Sequence, residues 1–440
     1  MKTLTQFSGS LMLSVALAAG LFPAAGRAAD EPSWVATWSA SPQPVWGTDF
    51  LFPLNAPSEL HHQTVRQIAR VSLGGERIRI LLSNAYGRQP VTLGKATLAL
   101  PATDVALVAD SLRTLTFGGR ETATILPGAS LISDPVALSV PALGQVALSL
   151  YLPEKTPVST FHWDGRQSGW IVPGDRASDR QWSDAEGAAQ ITTTRLLWSG
   201  VEVETPAPAP ARAVAVIGDS ITDGAAASLD KDRRWPDLLA ARLAPHGVAV
   251  INAGISGGRL LSDGMGVNGL ARLERDVLDQ SGVQSVIVML GINDIAWPGT
   301  AFAPTSPRPT LAALTAGYRQ LIAQAHRRGV RVIGATLTPF AGALPDTPLD
   351  DYYHPEKDAL RRQVNDWIRH SGAFDAVIDF DAALRDAAHP ERLDRDVDSG
   401  DRLHPGDAGN RVMADAVDLD ALFAHPTISA EDHSAATQER

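Results

Sequence analysis

The residues best suited to chemistry begin with Ser220, in Gly218-Asp219-Ser220-Ile221-Thr222-Asp223-Gly224. This stretch follows the apolar run Ala213-Val214-Ala215-Val216-Ile217. A short apolar run ending in a glycine-flanked serine reads as a buried parallel strand handing over to a tight turn. Ser220 would then sit at the carboxyl edge of a sheet, where open α/β folds place their sites. A serine hydroxyl is a weak nucleophile until a base takes its proton, and the base works best when a carboxylate fixes its tautomer. Asp-x-x-His-Pro occurs three times, at Asp351 to His354, Asp386 to His389 and Asp401 to His404. Taken alone, each such pair is more often a surface arrangement than a catalytic one. Asp401 to His404 follows the last predicted strand, and Gly406-Asp407 supplies a turn and a helix N-cap behind it. His354 also follows a strand and opens a helix, so it stays a rival. His389 reads as a helix terminus stopped by Pro390.

An attacked ester carbonyl becomes an oxyanion and needs donors already aimed at it. Two further strand ends could supply them. One is Asn252-Ala253-Gly254-Ile255-Ser256-Gly257-Gly258, where glycine allows a backbone amide to approach closely; the other is Gly291-Ile292-Asn293-Asp294, where the Asn293 side chain can donate. A plain strand-to-helix turn and an Asx-turn or N-cap are the structural alternatives. Trp297, four residues after Asn293, is the aromatic most readily placed as a wall against substrate. Trp163, Trp170 and Trp182 read better as core than as a sugar-stacking platform.

The elements that must position these groups fall into two patterns. From about Ser33 to Gly200 the apolar period is two, as in Ile78, Ile80 and Leu82 and in Val146, Leu148, Leu150 and Leu152, which predicts half-buried strands of an antiparallel β-sandwich over 33–200. The Pro/Ala stretch after Glu204 predicts an extended linker over 201–212. Beyond it, apolar strands at 213–217, 248–252, 285–290, 331–336 and 376–380 alternate with helix-like stretches at 235–244, 269–280, 310–328 and 355–370. A last helix is expected over about 407–423, closing a domain over 213–427, with a polar tail at 428–440. Five strands alternating with helices predict an α/β, flavodoxin-like doubly wound parallel sheet.

Gly-Asp-Ser-x-Thr-Asp-Gly, Asn-Ala-Gly-x-Ser-Gly, Gly-x-Asn-Asp and Asp-x-x-His-Pro, in that order, resemble the blocks of the SGNH (GDSL) hydrolase superfamily. The resemblance implies Ser220 as nucleophile, His404 as base and Asp401 as its orienting acid. It also implies an oxyanion hole made by the Ser220 amide, the Gly257 amide and the Asn293 side chain. Ile221 stands where the family's name has Leu, a conservative change. Trp34-Val35-Ala36-Thr37-Trp38, Ser83-Asn84-Ala85-Tyr86-Gly87 and Arg234-Trp235-Pro236-Asp237 add a resemblance to secreted two-domain, xylan-esterase-like members.

Composition limits the rest. There are no cysteines, so thiolate chemistry and disulfides are excluded. Lys2, the apolar stretch from Leu11 to Phe22 and Gly26-Arg27-Ala28 read as a secretory signal peptide over 1–28, giving an exported protein, periplasmic or extracellular. Without it, 36 basic and 49 acidic residues leave a formal charge of −13, which disfavours nucleic acid and anionic membrane as partners. His61-His62 lacks partners at metal spacing, and the acidic loop at Asp394-x-Asp396-x-Asp398 departs from a calcium loop. The expected function is hydrolysis of short-chain, acetyl, esters on a carbohydrate, with no metal or organic cofactor required. A lipase or aryl esterase with the same triad is the alternative, and a carbohydrate-binding protein with a vestigial hydrolase domain is a more distant one.

Overall fold

The computed structural model describes residues 33–47, 50–103, 106–182, 189–205 and 212–423. The expected signal peptide, most of the Pro/Ala stretch and the polar tail lie outside the described residues.

Between Ser33 and Thr205 the described chain forms two main antiparallel sheets. One is built on Ser33–Ser39, Trp198–Thr205 and Gly75–Ser83, and the other on Gly169–Pro173, Gln63–Arg70, Gln145–Leu152 and Lys95–Ala99. Their inner faces share one core. Val35, Ile78, Ile80, Leu82, Val201 and Val203 meet Val65, Val146, Leu148, Leu150 and Leu152 in it. Alternation of side chains along a strand produces this, because every second residue points the same way. Two expectations need correction. Residues 201–205 are the end of a paired strand and not linker, because Val201 and Val203 continue the apolar alternation into the core. The second sheet is also buried on its outer face: Ala147 packs with Ile68, Trp170 and Trp182, so Val146–Leu150 is buried on both faces. Arg66 lies on that face under the Trp182 ring, which places Trp170 and Trp182 in packing and not on a sugar-facing platform.

After Arg212 the period changes, and five parallel strands form one sheet: Ala213–Gly218, Ala249–Gly254, Val283–Met289, Arg331–Ala335 and Ala376–Ile378. Their spatial order is second, first, third, fourth, fifth, which is the flavodoxin-like order. Ala215 and Ile217 of the first strand join one core with Leu314, Tyr318 and Val364, while Val214 and Val216 join another with Trp235, Leu239 and Met413. The sheet is therefore covered on both faces, as a run of consecutive apolar residues requires. The helices that position the site are α1 (Ser220–Asp223), α2 (Trp235–Leu243), α3 (Gly269–Leu273), α4 (Ile292–Ala296), α5 (Leu311–Arg327), α6 (Pro355–His370), α7 (Phe380–Leu384) and α8 (Asp407–Asp415).

Local polar residues set several ends that periodicity missed. The fifth strand stops at Ile378 because Asp379 caps α7, accepting from the Ala382 amide. The helix expected over 407–423 breaks after Asp415. The Asp418 carboxylate takes the Asp420 amide and starts a separate short turn at Asp420–Leu422.

The two units interlock along the edge of the parallel sheet. Its second strand is an edge strand, and an uncovered edge exposes unpaired amides. Here Ser72 Oγ accepts from the Val250 amide at 2.9 Å, and Ser39 Oγ donates to the Asn252 carbonyl at 3.0 Å. Ala36 of the sandwich sits in a core of the parallel-sheet unit, while Ala213 and Ala249 sit in the sandwich core.

Candidate active site

Ser220 is the first residue of α1, directly after the central strand of the first three. Asp219 caps this helix: its Oδ1 accepts from the Ile221 amide at 3.0 Å, and its carbonyl accepts from the Thr222 and Asp223 amides. The first amide of a helix has no intrahelical acceptor, so the Ser220 N–H is left to point outward. Burial pushes the Asp219 carboxyl up from 3.8 to about 7, against the Ile221 amide and the nearby His404.

Of the three Asp-x-x-His-Pro pairs, the structure brings one to Ser220. His404 Nε2 lies 2.8 Å from Ser220 Oγ, and His404 Nδ1 lies 2.6 Å from Asp401 Oδ2. His354 is exposed at the start of α6, and His389 is exposed beside Glu391. The spacing of the pair has a local cause. Asp401 Oδ1 accepts from the Leu403 and His404 amides at 2.9 and 2.8 Å, closing an Asx-type turn that leaves Oδ2 facing the ring. Burial alone would raise the Asp401 carboxyl. The His404 hydrogen bond and charge, with the two amides, outweigh it and hold the group well below the usual carboxylate range. A carboxylate at Nδ1 keeps the proton there and leaves the Nε2 lone pair towards the serine hydroxyl.

Asn410 of α8 holds the turn behind His404. Its Nδ2 donates to the Pro405 and Gly406 carbonyls at 3.1 and 3.0 Å, and its Oδ1 accepts from the Trp235 amide of α2 at 2.9 Å.

The strands on either side of the first lead into the loop that carries Gly257 and into α4, which carries Asn293. Asn293, in the first turn of α4, is 3% exposed. The Tyr352 hydroxyl donates to its Oδ1 at 2.7 Å, and its Nδ2 donates to the Gly258 carbonyl at 3.1 Å. These two bonds define which end of the amide is nitrogen and leave its second N–H to give. Burial pushes the Tyr352 phenol well above its usual range, so it stays a donor. Gly257 has φ +70, and its amide finds no backbone acceptor among the described residues. A Cβ here would stand 2.7 Å from the Trp297 ring and 2.8 Å from Met265 Sδ, so only glycine fits the turn. This contact corrects the expectation for Trp297. The indole is 2% exposed, packed beneath Gly257 and against Phe302, and it supports the turn instead of walling the substrate.

Several positioning residues were given no role by the sequence. Asp294, next to Asn293, accepts from the Leu260 and Leu261 amides at 2.7 and 2.9 Å and so ties the third strand end to the loop after the second. Burial raises its carboxyl to about 6. The buried Arg272 guanidinium bonds the Ala253 and Gly218 carbonyls at 2.6 and 3.1 Å, clamping two strand ends together. The Gly-x-Asn-Asp block could have flagged Asp294, whereas Arg272 and Tyr352 have no pattern around them.

Residues 216–412 match the GDSL-like Lipase/Acylhydrolase family. They are a GDSL-like lipase/acylhydrolase domain of the SGNH superfamily. The protein is accordingly a carboxylic ester hydrolase. Among solved structures, the chain is similar to a GDSL-like lipase from Bacteroides thetaiotaomicron VPI-5482, at 18% identity and TM-score 0.34 over 47% of this chain and 85% of that one. It is also similar to a single-residue variant of an acetyl-xylooligosaccharide esterase from Geobacillus, at 23% identity and TM-score 0.34 over 48% and 95%. A search of curated proteins finds no match.

Proposed function

We propose that this protein is an exported serine esterase that removes short acyl groups, acetate first among them, from a carbohydrate. The observation that carries the catalytic part is the continuous relay Ser220 Oγ, His404 Nε2, His404 Nδ1, Asp401 Oδ2, at 2.8 and 2.6 Å. In this scheme His404 takes the Ser220 proton as Oγ attacks the ester carbonyl carbon. The Ser220 and Gly257 amides and the Asn293 side chain hold the oxyanion. When the tetrahedral intermediate collapses, the bond to the alcohol breaks and His404 gives its proton to the leaving oxygen. Water, deprotonated by the same imidazole, then attacks the acyl-serine and releases the acid, so ping-pong kinetics follow.

The acetyl and carbohydrate part rests on the resemblance of Trp34–Trp38, Ser83–Gly87 and Arg234–Asp237 to secreted xylan-esterase-like proteins. Export rests on the leader-like residues 1–28. The decisive experiment compares p-nitrophenyl acetate turnover by wild type, Ser220→Ala, His404→Ala and His354→Ala on folded protein. Loss in the first two variants and retention in the third supports the triad; loss in His354→Ala instead would move the base. A chain-length series then separates a deacetylase, fastest on acetate, from a lipase or aryl esterase that speeds up with longer acyl groups. Glycan binding by a wild type inactive on every ester would favour the binding-protein alternative. N-terminal sequencing of the protein recovered outside the cytoplasm tests export and cleavage near Ala28.

A further inference from the structure

One buried hydrogen-bond chain runs from the sandwich into the hydrolase domain and ends beside the oxyanion turn. Asp223, the last residue of α1, is 2% exposed. Its Oδ2 accepts from both the amide and the hydroxyl of Ser256, at 2.9 and 2.8 Å, and Ser256 is the residue before Gly257. Its Oδ1 lies 2.9 Å from Nε2 of His162. His162 belongs to the sandwich, in the short strand Thr160–His162, and is 3% exposed. Its other nitrogen, Nδ1, lies 3.1 Å from the Ser41 carbonyl, also in the sandwich. The imidazole thus lies between the Ser41 carbonyl of the sandwich and the Asp223 carboxylate of the hydrolase domain and bridges the two units.

We propose that His162 is a positioning residue for ester hydrolysis: through Asp223 and Ser256 the sandwich fixes the Gly257 amide relative to Ser220. This inference rests on the triad and oxyanion assignments above. One carboxylate clamps two things that must not move against each other, the helix that starts at Ser220 and the turn that carries Gly257. The backbones there are in close contact, since a Cβ at Gly254 would lie 2.5 Å from the Asp223 amide. A buried carboxylate keeps its place only while its acceptor sites are filled, and removing one partner leaves charge that pulls the rest out of register. Donors act on the transition state, and a displacement of about 1 Å far from the reacting atoms can cost about 10²-fold. The Asp-His pairing is not a second triad, because its imidazole is turned to Ser41 and Asp223 and not to Ser220.

The test compares His162→Leu with His162→Gln, side chains of similar volume of which only the second can donate to Asp223. The Leu variant should lose about 10- to 100-fold in kcat with KM changed less than about threefold, and the Gln variant should recover most of that loss. Ser256→Ala should lower kcat in the same way, and combining it with His162→Leu should cost little more than the worse single change, since both act through one carboxylate. Wild-type kcat in folded His162→Leu, a loss confined to KM, or losses that multiply in the double variant would overturn the inference. If His162→Leu does not fold, unchanged kcat in Ser256→Ala would overturn it. Ser220→Ala is measured alongside: activity surviving there defeats the triad assignment itself, whereas a dead Ser220→Ala with a fully active His162→Leu defeats only the positioning role.

Discussion

At the scale of single residues, the site depends on polar groups held in one orientation. Asn293 can donate to an oxyanion only while Tyr352 holds its Oδ1 and Gly258 takes one of its hydrogens. Asn293→Ala should therefore lower kcat by about 10²- to 10³-fold, the usual cost of an oxyanion donor. Tyr352→Phe should lower it by less, because the donor remains but its orientation is free. Steady-state kinetics that rank the two variants in the opposite order would count against this role for Asn293. Asp219 makes a different prediction. Its carboxyl rises from 3.8 to about 7 on burial, so the folded state holds more protons than the unfolded state between those values. Stability then falls as pH rises from about 4 to about 7 and levels off above. Asp401, held below its usual range, acts in the other direction and in another window, losing its contribution as pH falls below about 4. Asp219→Asn keeps the cap to Ile221 but cannot ionise. Its melting temperature should decline less than that of wild type between pH 5 and 8, and equal declines would show that Asp219 does not titrate there.

At the scale of elements, the site is a meeting of strand ends, each pinned by a side chain from a neighbour. The first, second and third strands carry Ser220, Gly257 and Asn293 into one place because the first lies between the other two. The base comes from a turn that no strand holds, so α8 and α2 hold it through Asn410. Asn410→Ala strands the Trp235 amide and the Pro405 carbonyl. It should cost about 1–3 kcal/mol in stability, read by denaturant titration, and should lower kcat through a loosened His404. The period-two and strand–helix patterns made most of these elements legible. Their ends were less so, since side-chain caps such as Asp379 and Asp418 compete locally with the pattern and leave no periodic trace.

At the scale of the whole molecule, the sandwich and the hydrolase domain do not behave as beads on a string. The sandwich covers the edge strand of the parallel sheet, and each unit contributes residues to the other's core. Polar bonds such as the buried one from Gln43 to the Met265 carbonyl and the part-buried one from Arg275 to the Tyr86 hydroxyl cross the boundary. Units joined in this way should melt together, and calorimetry should show one transition whose van't Hoff and calorimetric enthalpies agree. Two resolved transitions would mean that the interface adds little to stability. The Pro/Ala stretch marks where the chain passes between the units, but its composition carried no information about how closely they pack.

The sequence by itself determined the two-sheet plus parallel-sheet plan and the place of Ser220 at a strand end, because apolar period and a glycine-flanked serine are local properties of the chain. Spacing alone left three Asp-x-x-His-Pro pairs, and the resemblance of the ordered blocks pointed to the last of them. Only the tertiary structure brings that pair to Ser220, since His404 reaches it across 184 positions of chain by the folding of α8 against α2. The same holds for Trp297, which lies under Gly257 and not before the substrate, and for His162, which meets Asp223 only after the two units have docked. Contacts of this kind are set by packing between elements, and nothing in the spacing of residues along the chain encodes them.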